Sequence, residues 1–182
     1  MQVLRGTGIK IVSEIEFAAQ YTQAKIIGIT GSNGKTTTTL LVHHLLKEAG
    51  FNVGLAGNIG YSFAQQVAEH NYDYYVLEIS SFQLDDIHDF SPSIGVITNI
   101  TPDHLDRYGN DFSNYIQAKL RLTMNQTKEQ FLLFNVDDER LTQALSETSS
   151  EAKKIPFGFS KAAQAGTTIE DKQLIINTNK NT

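Results

Sequence analysis

The chain has 182 residues, about 1.2 domains by the usual length prior, and its 40% apolar and 19% charged composition suits a packed globular core. A formal net charge of -5 offers no basic surface for nucleic acid, and the lack of cysteine excludes disulfides, thiolate metal sites and a thiol nucleophile. The longest apolar run, near Ile26, is far short of the ~20 residues that span a bilayer, and the first residues carry no signal-like apolar core, so a cytoplasmic protein without membrane contact is expected.

In chain order, Ser13 to Glu16 ahead of Phe17-Ala18-Ala19 is a capping-box start for a short helix. Lys25 to Thr30 is a β-branched run bounded by glycine and predicts a buried strand. GSNGKT follows, leading into a helix that carries Leu40, Leu41, Leu45 and Leu46 and closes at Gly50. Further strands are expected over Phe51 to Leu55, Tyr74 to Ile79, Ile94 to Ile100 and Phe131 to Asn135. Helical stretches separate most of them, roughly at 62–69, 111–126 and 137–147. Alternating strands and helices predict an α/β fold, a mostly parallel sheet with helices on both faces. After Ser150, Lys154 to Phe159 and Thr167 to Asn177 predict short strands, the second with a turn near Asp171. No helix intervenes, so a small antiparallel extension of the sheet is expected there.

Thr30-Gly31-Ser32-Asn33-Gly34-Lys35-Thr36 lies between a predicted strand and a predicted helix, the context a phosphate loop needs. Its backbone N–H groups would curl around phosphate oxygens at a helix N-terminus, where the dipole adds partial positive charge. Lys35 would reach the β- and γ-phosphates, Thr36 would ligate Mg²⁺, and Thr37 opens the helix beside it. The general pattern wants glycine at position 29, where this chain has Ile29, so only the second half of the motif matches.

Ligands of such sheets bind beyond the carboxyl ends of the strands. Tyr74 to Ile79 delivers Glu78 there, as a candidate metal-binding acid or a solvated strand end. Asn99 is followed by Asp103 and His104: His104 could contact magnesium or phosphate with Asp103 orienting it, or the pair could form a surface turn. On the helix starting at Asp111, Lys119 shares the apolar stripe of Phe112, Tyr115, Ile116 and Leu120. A lysine on such a stripe either snorkels out or serves chemistry, for desolvation lowers its pKa and frees an amine that can capture CO₂ as a carbamate.

Together, TGSNGKT, Glu78-Ile79-Ser80-Ser81-Phe82-Gln83-Leu84, Asp103-His104-Leu105-Asp106-Arg107-Tyr108 and Ala118-Lys119-Leu120 resemble the Mur ligases, ATP-dependent amide-forming enzymes of peptidoglycan precursor synthesis. The resemblance runs from about Gly8 to Phe159, and the family loop tolerates a non-glycine at position 29. Within the family, the motifs are most similar to the branch that joins D-glutamate to UDP-N-acetylmuramoyl-L-alanine; Gly57-Asn58-Ile59-Gly60 and Asn135-Val136-Asp137-Asp138 fit it too.

The resemblance implies a fold like that of phosphate-loop NTPases, and ATP with two magnesium ions as cofactors. Thr36 and Glu78 would hold the nucleotide-side ion; His104 and a CO₂-derived carbamate on Lys119 would hold the second. It also implies Asn58, Ser80 and Gln83 facing the muramoyl substrate, with Asn135 and Asp137 as weaker candidates. Residues 1–24 would be the end of a preceding domain or its linker, and 25–182 a central ATP-binding domain cut short. Such a piece, without uridine- and amino-acid-binding domains, is expected to act as a monomer that cannot complete the ligation. Two other readings stay open: a ligase like the folylpolyglutamate synthases, and a phosphate-loop ATPase or switch. The chain lacks the N-K-x-D motif of a GTP switch, and a motor ATPase would have no use for Lys119.

Overall fold

The structure is a computed structural model and describes residues 8–159, 167–170 and 173–176. Its elements are α1 (Glu14–Ala19), β1 (Lys25–Thr30), α2 (Lys35–Glu48), β2 (Val53–Gly57), α3 (Phe63–Glu69), β3 (Tyr74–Glu78), α4 (Ser81–Asp85) and β4 (Ile94–Ile97). A 3-10 turn at Leu105–Tyr108 precedes α5 (Phe112–Leu120), and a second at Arg121–Thr123 follows it. β5 (Phe131–Asn135), α6 (Glu139–Ser146), β6 (Lys153–Phe157), β7 (Thr167–Glu170) and β8 (Gln173–Ile176) complete the described part. Among these residues, no helix is long and apolar enough to cross a membrane.

The strands form one sheet in the order β2-β3-β1-β4-β5-β6-β7-β8. β1 to β6 run parallel, so their carboxyl ends line one edge. The expected antiparallel extension is corrected in part. β6 is parallel to β5, because α6 carries the chain back across the sheet before β6 begins. Only β7 and β8 pair antiparallel, and the expected turn at Asp171 lies outside the described residues.

Alternation along the strands splits the core in two. Ile27, Ile29, Val53, Val76 and Val96 face α2, which packs Val42 and Leu46 onto them. The opposite neighbours, including Ile26, Tyr75, Leu77, Leu132 and Phe134, pack with the other helices. Of the four leucines that α2 carries, Leu40, Leu41 and Leu45 are exposed. The helical period puts Thr39, Val42 and Leu46 on the sheet side and turns the other three away.

Helix α1 belongs to the same core, with Ile15 and Ala18 buried. Ser13 accepts the Glu16 N–H at 3.2 Å, as a cap should. The reciprocal half of the expected capping box does not form: Ser13 N–H donates to the Asp86 carbonyl. The buried Glu16 carboxylate instead accepts the N–H groups of His88, Asp89 and Phe90 at 2.9–3.0 Å.

Candidate functional site

The loop between β1 and α2 sits at the carboxyl edge of the sheet, flanked by β3 and β4. Thr30 ends β1 fully buried, and Gly34 caps α2 in the left-handed conformation at φ 80°. The first N–H groups of α2 have no carbonyl one turn earlier, so they point into the loop mouth beside exposed Thr36 and Thr37. Lys35 folds over that mouth and donates to the carbonyls of Gly31 (3.0 Å) and Ser32 (2.9 Å).

Two loop residues differ from the sequence reading. The Ser32 side chain is buried and turned inward: it donates to the Thr101 carbonyl at 2.8 Å and accepts the Thr101 N–H at 2.9 Å. With its one proton used there, it accepts the Tyr115 hydroxyl at 3.1 Å. Asn33 is exposed, but its N–H is taken by the Asn99 side chain at 2.9 Å. The backbone N–H groups of Ser32 and Asn33 are thus both bonded to Asn99.

Gly31 has a φ of 148°, and a Cβ there would meet Thr98 Oγ1 at 1.9 Å. Gly31→Ala is expected to cost about 2 kcal/mol of stability, through a strained φ and a displaced Thr98. A urea melt of the variant checks this, and an unchanged midpoint would contradict the geometry.

Glu78 ends β3 almost fully buried, and both its oxygens are engaged. Oε2 accepts the Thr36 hydroxyl at 2.6 Å and Oε1 accepts the Asn58 amide at 2.8 Å. The turn after β2 wraps this strand end: Gly57, at φ 95°, leaves no room for a Cβ beside the Glu78 carbonyl, and Asn58 N–H donates to that carbonyl at 2.9 Å. Asn58 thus braces Glu78, a role that spacing could not show.

Ser80 and Gln83 cap α4 for each other. Gln83 N–H donates to Ser80 Oγ, and the Gln83 side-chain oxygen accepts from Ser80 N–H at 3.0 Å. The S-x-x-Q spacing carried that signal. Asn135 and Asp137 are likewise in loop bonds, Asn135 accepting Asp137 N–H and Asp137 accepting Phe159 N–H.

His104 stands at φ 49° in the left-handed region, with Asp103 3.6 Å away and both side chains exposed. Its ring meets Phe82 edge-on at 5.4 Å, Phe82 stacks on Tyr108, and the Arg107 guanidinium lies 4.2 Å over Phe82. Tyr108 ties the cluster to α4 through a 3.1 Å bond to Asp85, and burial holds its hydroxyl far above the usual phenol range. The two motifs that carry the resemblance, one through Phe82 and one through His104 to Tyr108, are therefore packed on each other.

Lys119 does not snorkel. It is 1% exposed, donates to the Gly31 carbonyl at 2.7 Å, and lies 4.7 Å from the Tyr115 ring centre. Burial first, and then repulsion from Lys35, push its ammonium down to about 7, while Asp103 pulls the other way. No hydrogen bond joins His104 to Lys119; the His104 ring meets Phe82, and Lys119 lies over Tyr115.

The sequence matches the Mur ligase middle domain over residues 29–181. UDP-N-acetylmuramoylalanine--D-glutamate ligase from Christiangramia forsetii is 49% identical over 97% of this chain and 40% of its own length. The Bacteroides fragilis protein of the same name is 53% identical over 95% and 39%. This chain thus spans about two fifths of the length of the curated relatives it matches. Among solved structures, a MurF ligase from Thermotoga maritima in complex with ADP is similar at TM-score 0.65 and 19% identity, over 86% of this chain and 37% of that one. Escherichia coli FolC in complex with DHPP and ADP is similar at 0.61 and 14%, over 93% and 54%. These likenesses speak to the fold alone. With a family match over most of its length and relatives 49–53% identical, the chain belongs to the Mur ligase middle domain family.

Proposed function

We propose that this chain forms the ATP-binding part of a cytoplasmic, monomeric ligase that joins D-glutamate to UDP-N-acetylmuramoyl-L-alanine. Residues 25–182 supply the ATP site, with α1 packed into the same core. The names of the 49–53% identical relatives support the substrates, and the Thr36–Glu78 contact carries the chemistry. ATP supplies a phosphoryl group that activates the alanyl carboxylate, and the amine of D-glutamate then displaces phosphate to leave the amide.

The donor set fits ATP with Mg²⁺. A hydroxyl and a carboxylate converge at the loop mouth, while no cluster of three or more His, Cys, Asp or Glu side chains exists among the described residues. Such a partial oxygen set suits a magnesium ion that is also held by nucleotide phosphates. Thr36 and Glu78 would hold that ion, and His104 with a Lys119 carbamate would hold a second; together they would neutralise crowded negative charge. Lys35 swings from the Gly31 and Ser32 carbonyls onto the phosphates. Asn58, Ser80 and Gln83 border the muramoyl substrate, and the bonds they make within the protein fix the shape of that border.

Titration of the chain with ATP·Mg by calorimetry is expected to give saturable binding that Lys35→Ala weakens at least tenfold, as loss of a charge-assisted phosphate contact requires. Binding that survives Lys35→Ala unchanged would overturn the loop assignment. D-Glutamate-dependent ADP release is expected only when the flanking domains are present.

A further inference from the structure

The segment after β4 is bonded to the phosphate loop along its length, and one residue holds the crest from both sides. Asn99 accepts the Ser32 N–H with its carbonyl at 3.0 Å. Its carboxamide then pairs with Asn33 as one strand pairs with another: Oδ1 accepts Asn33 N–H and Nδ2 donates to Asn33 carbonyl, both at 2.9 Å. Thr98 Oγ1 donates to that same Asn33 carbonyl at 2.7 Å, and Asn33 Nδ2 donates to Thr101 Oγ1 at 3.1 Å. The peptide groups at Ser32 and Asn33 are thereby fixed, and the next N–H groups, at the start of α2, are left aimed into the loop mouth.

We infer that Asn99 is the positioning residue of the phosphate loop, which sets its crest before a linear polyphosphate arrives. An exposed loop that had to order around its ligand would give up part of the contact energy to conformational entropy, and a loop held in advance does not. Asn99 touches no phosphate in this role. It acts through Asn33, whose carbonyl it keeps turned away from the incoming anion. Only a carboxamide does this, because the pairing needs one donor and one acceptor on the same planar group. The inference rests on the reading of 30–37 as a phosphate loop.

The test uses inorganic tripolyphosphate as the probe, since it reports the loop without any base contact. Asn99→Ala is expected to weaken tripolyphosphate binding about tenfold, as two lost hydrogen bonds would. Asn99→Asp is expected to weaken it further, because it keeps the acceptor, loses the donor and adds a negative charge at the crest. In the free chain, amide hydrogen exchange resolved by NMR is expected to speed up at Asn33 in Asn99→Ala. Ser32 N–H, whose partner is the backbone carbonyl of residue 99, is expected to stay protected. Lys35→Ala serves as the contrast: it loses tripolyphosphate binding while the Asn33 N–H keeps its acceptor on Asn99. Equal tripolyphosphate binding by the chain and Asn99→Asp, or unchanged Asn33 exchange in Asn99→Ala, refutes the role of Asn99. No binding by the unsubstituted chain refutes the phosphate-loop reading itself, and the inference with it.

Discussion

Lys119→Ala in the proposed full-length ligase is expected to lower the turnover rate by about a thousandfold or more, and acetate or formate is expected to restore part of it. The reason lies in where α5 puts this side chain. A surface lysine is neutral at pH 7 in fewer than roughly one molecule in a thousand, but an ammonium pushed down to about 7 is neutral in about half. Addition of the free pair to CO₂ would form an N–C bond, release a proton and turn the buried cation into a carbamate with two oxygen donors. The carbamate keeps one N–H, enough for the 2.7 Å bond to the Gly31 carbonyl. A small carboxylic acid can fill the space left by alanine and return the oxygens.

Lys119→Met is the control for folding. Replacing a buried charge by an apolar side chain of similar length is often neutral or stabilising, and the Gly31 carbonyl keeps its bond from Lys35. The sign of the pH effect agrees. With the folded value below the unfolded one, the burial cost is full below pH about 7 and fades as pH rises toward the ordinary lysine value. Lys119→Met is therefore expected to melt no lower than the parent at pH 6 while losing turnover. Full activity in either variant, or the absence of rescue by any small acid, would sink the carbamate assignment.

Glu16→Ala is expected to cost about 3 kcal/mol, roughly 10 °C in melting temperature for a chain of this size. The carboxylate is 1% exposed and accepts three backbone N–H groups at 2.9–3.0 Å, so its loss strands three donors and unpins α1 from the 88–90 loop. Glu16→Gln keeps one acceptor oxygen and is expected to lose less. Burial alone would raise this carboxyl, but the N–H groups of His88, Asp89 and Phe90 outweigh it and hold the group below its ordinary value. The sign follows: the stabilisation is complete above the ordinary glutamate value and is lost as pH falls through the lower folded value. Urea melts of parent and variant at pH 7 and pH 3 check this. A gap that does not shrink in acid would contradict it.

The sequence by itself determined the features that depend on near neighbours. The strand, glycine-rich turn and helix around Lys35 follow from a β-branched run, two glycines and a helical period within some twenty residues. The same period placed Lys119 on the apolar stripe of α5, and the structure buries it there. Capping residues Ser62 and Ser80 act as their spacing allows, each accepting an N–H three residues on.

Tertiary structure decided what each polar group meets. Glu16 has the spacing of a capping-box acid, yet three N–H groups more than seventy residues away claim it, because loop 88–90 packs beside α1. Ser32 and Asn33 sit in a phosphate-loop motif, yet the chain leaving β4 takes the side chain of one and the backbone of the other. Asn58 carries no local mark of its hold on Glu78, which exists because β2 and β3 lie side by side and end together. Even the direction of β6 hung on α6 crossing the sheet first. Period and capping act within a few residues and can be read along the chain; the strand order β2-β3-β1-β4-β5 brings together groups up to 88 residues apart, and no local pattern encodes it.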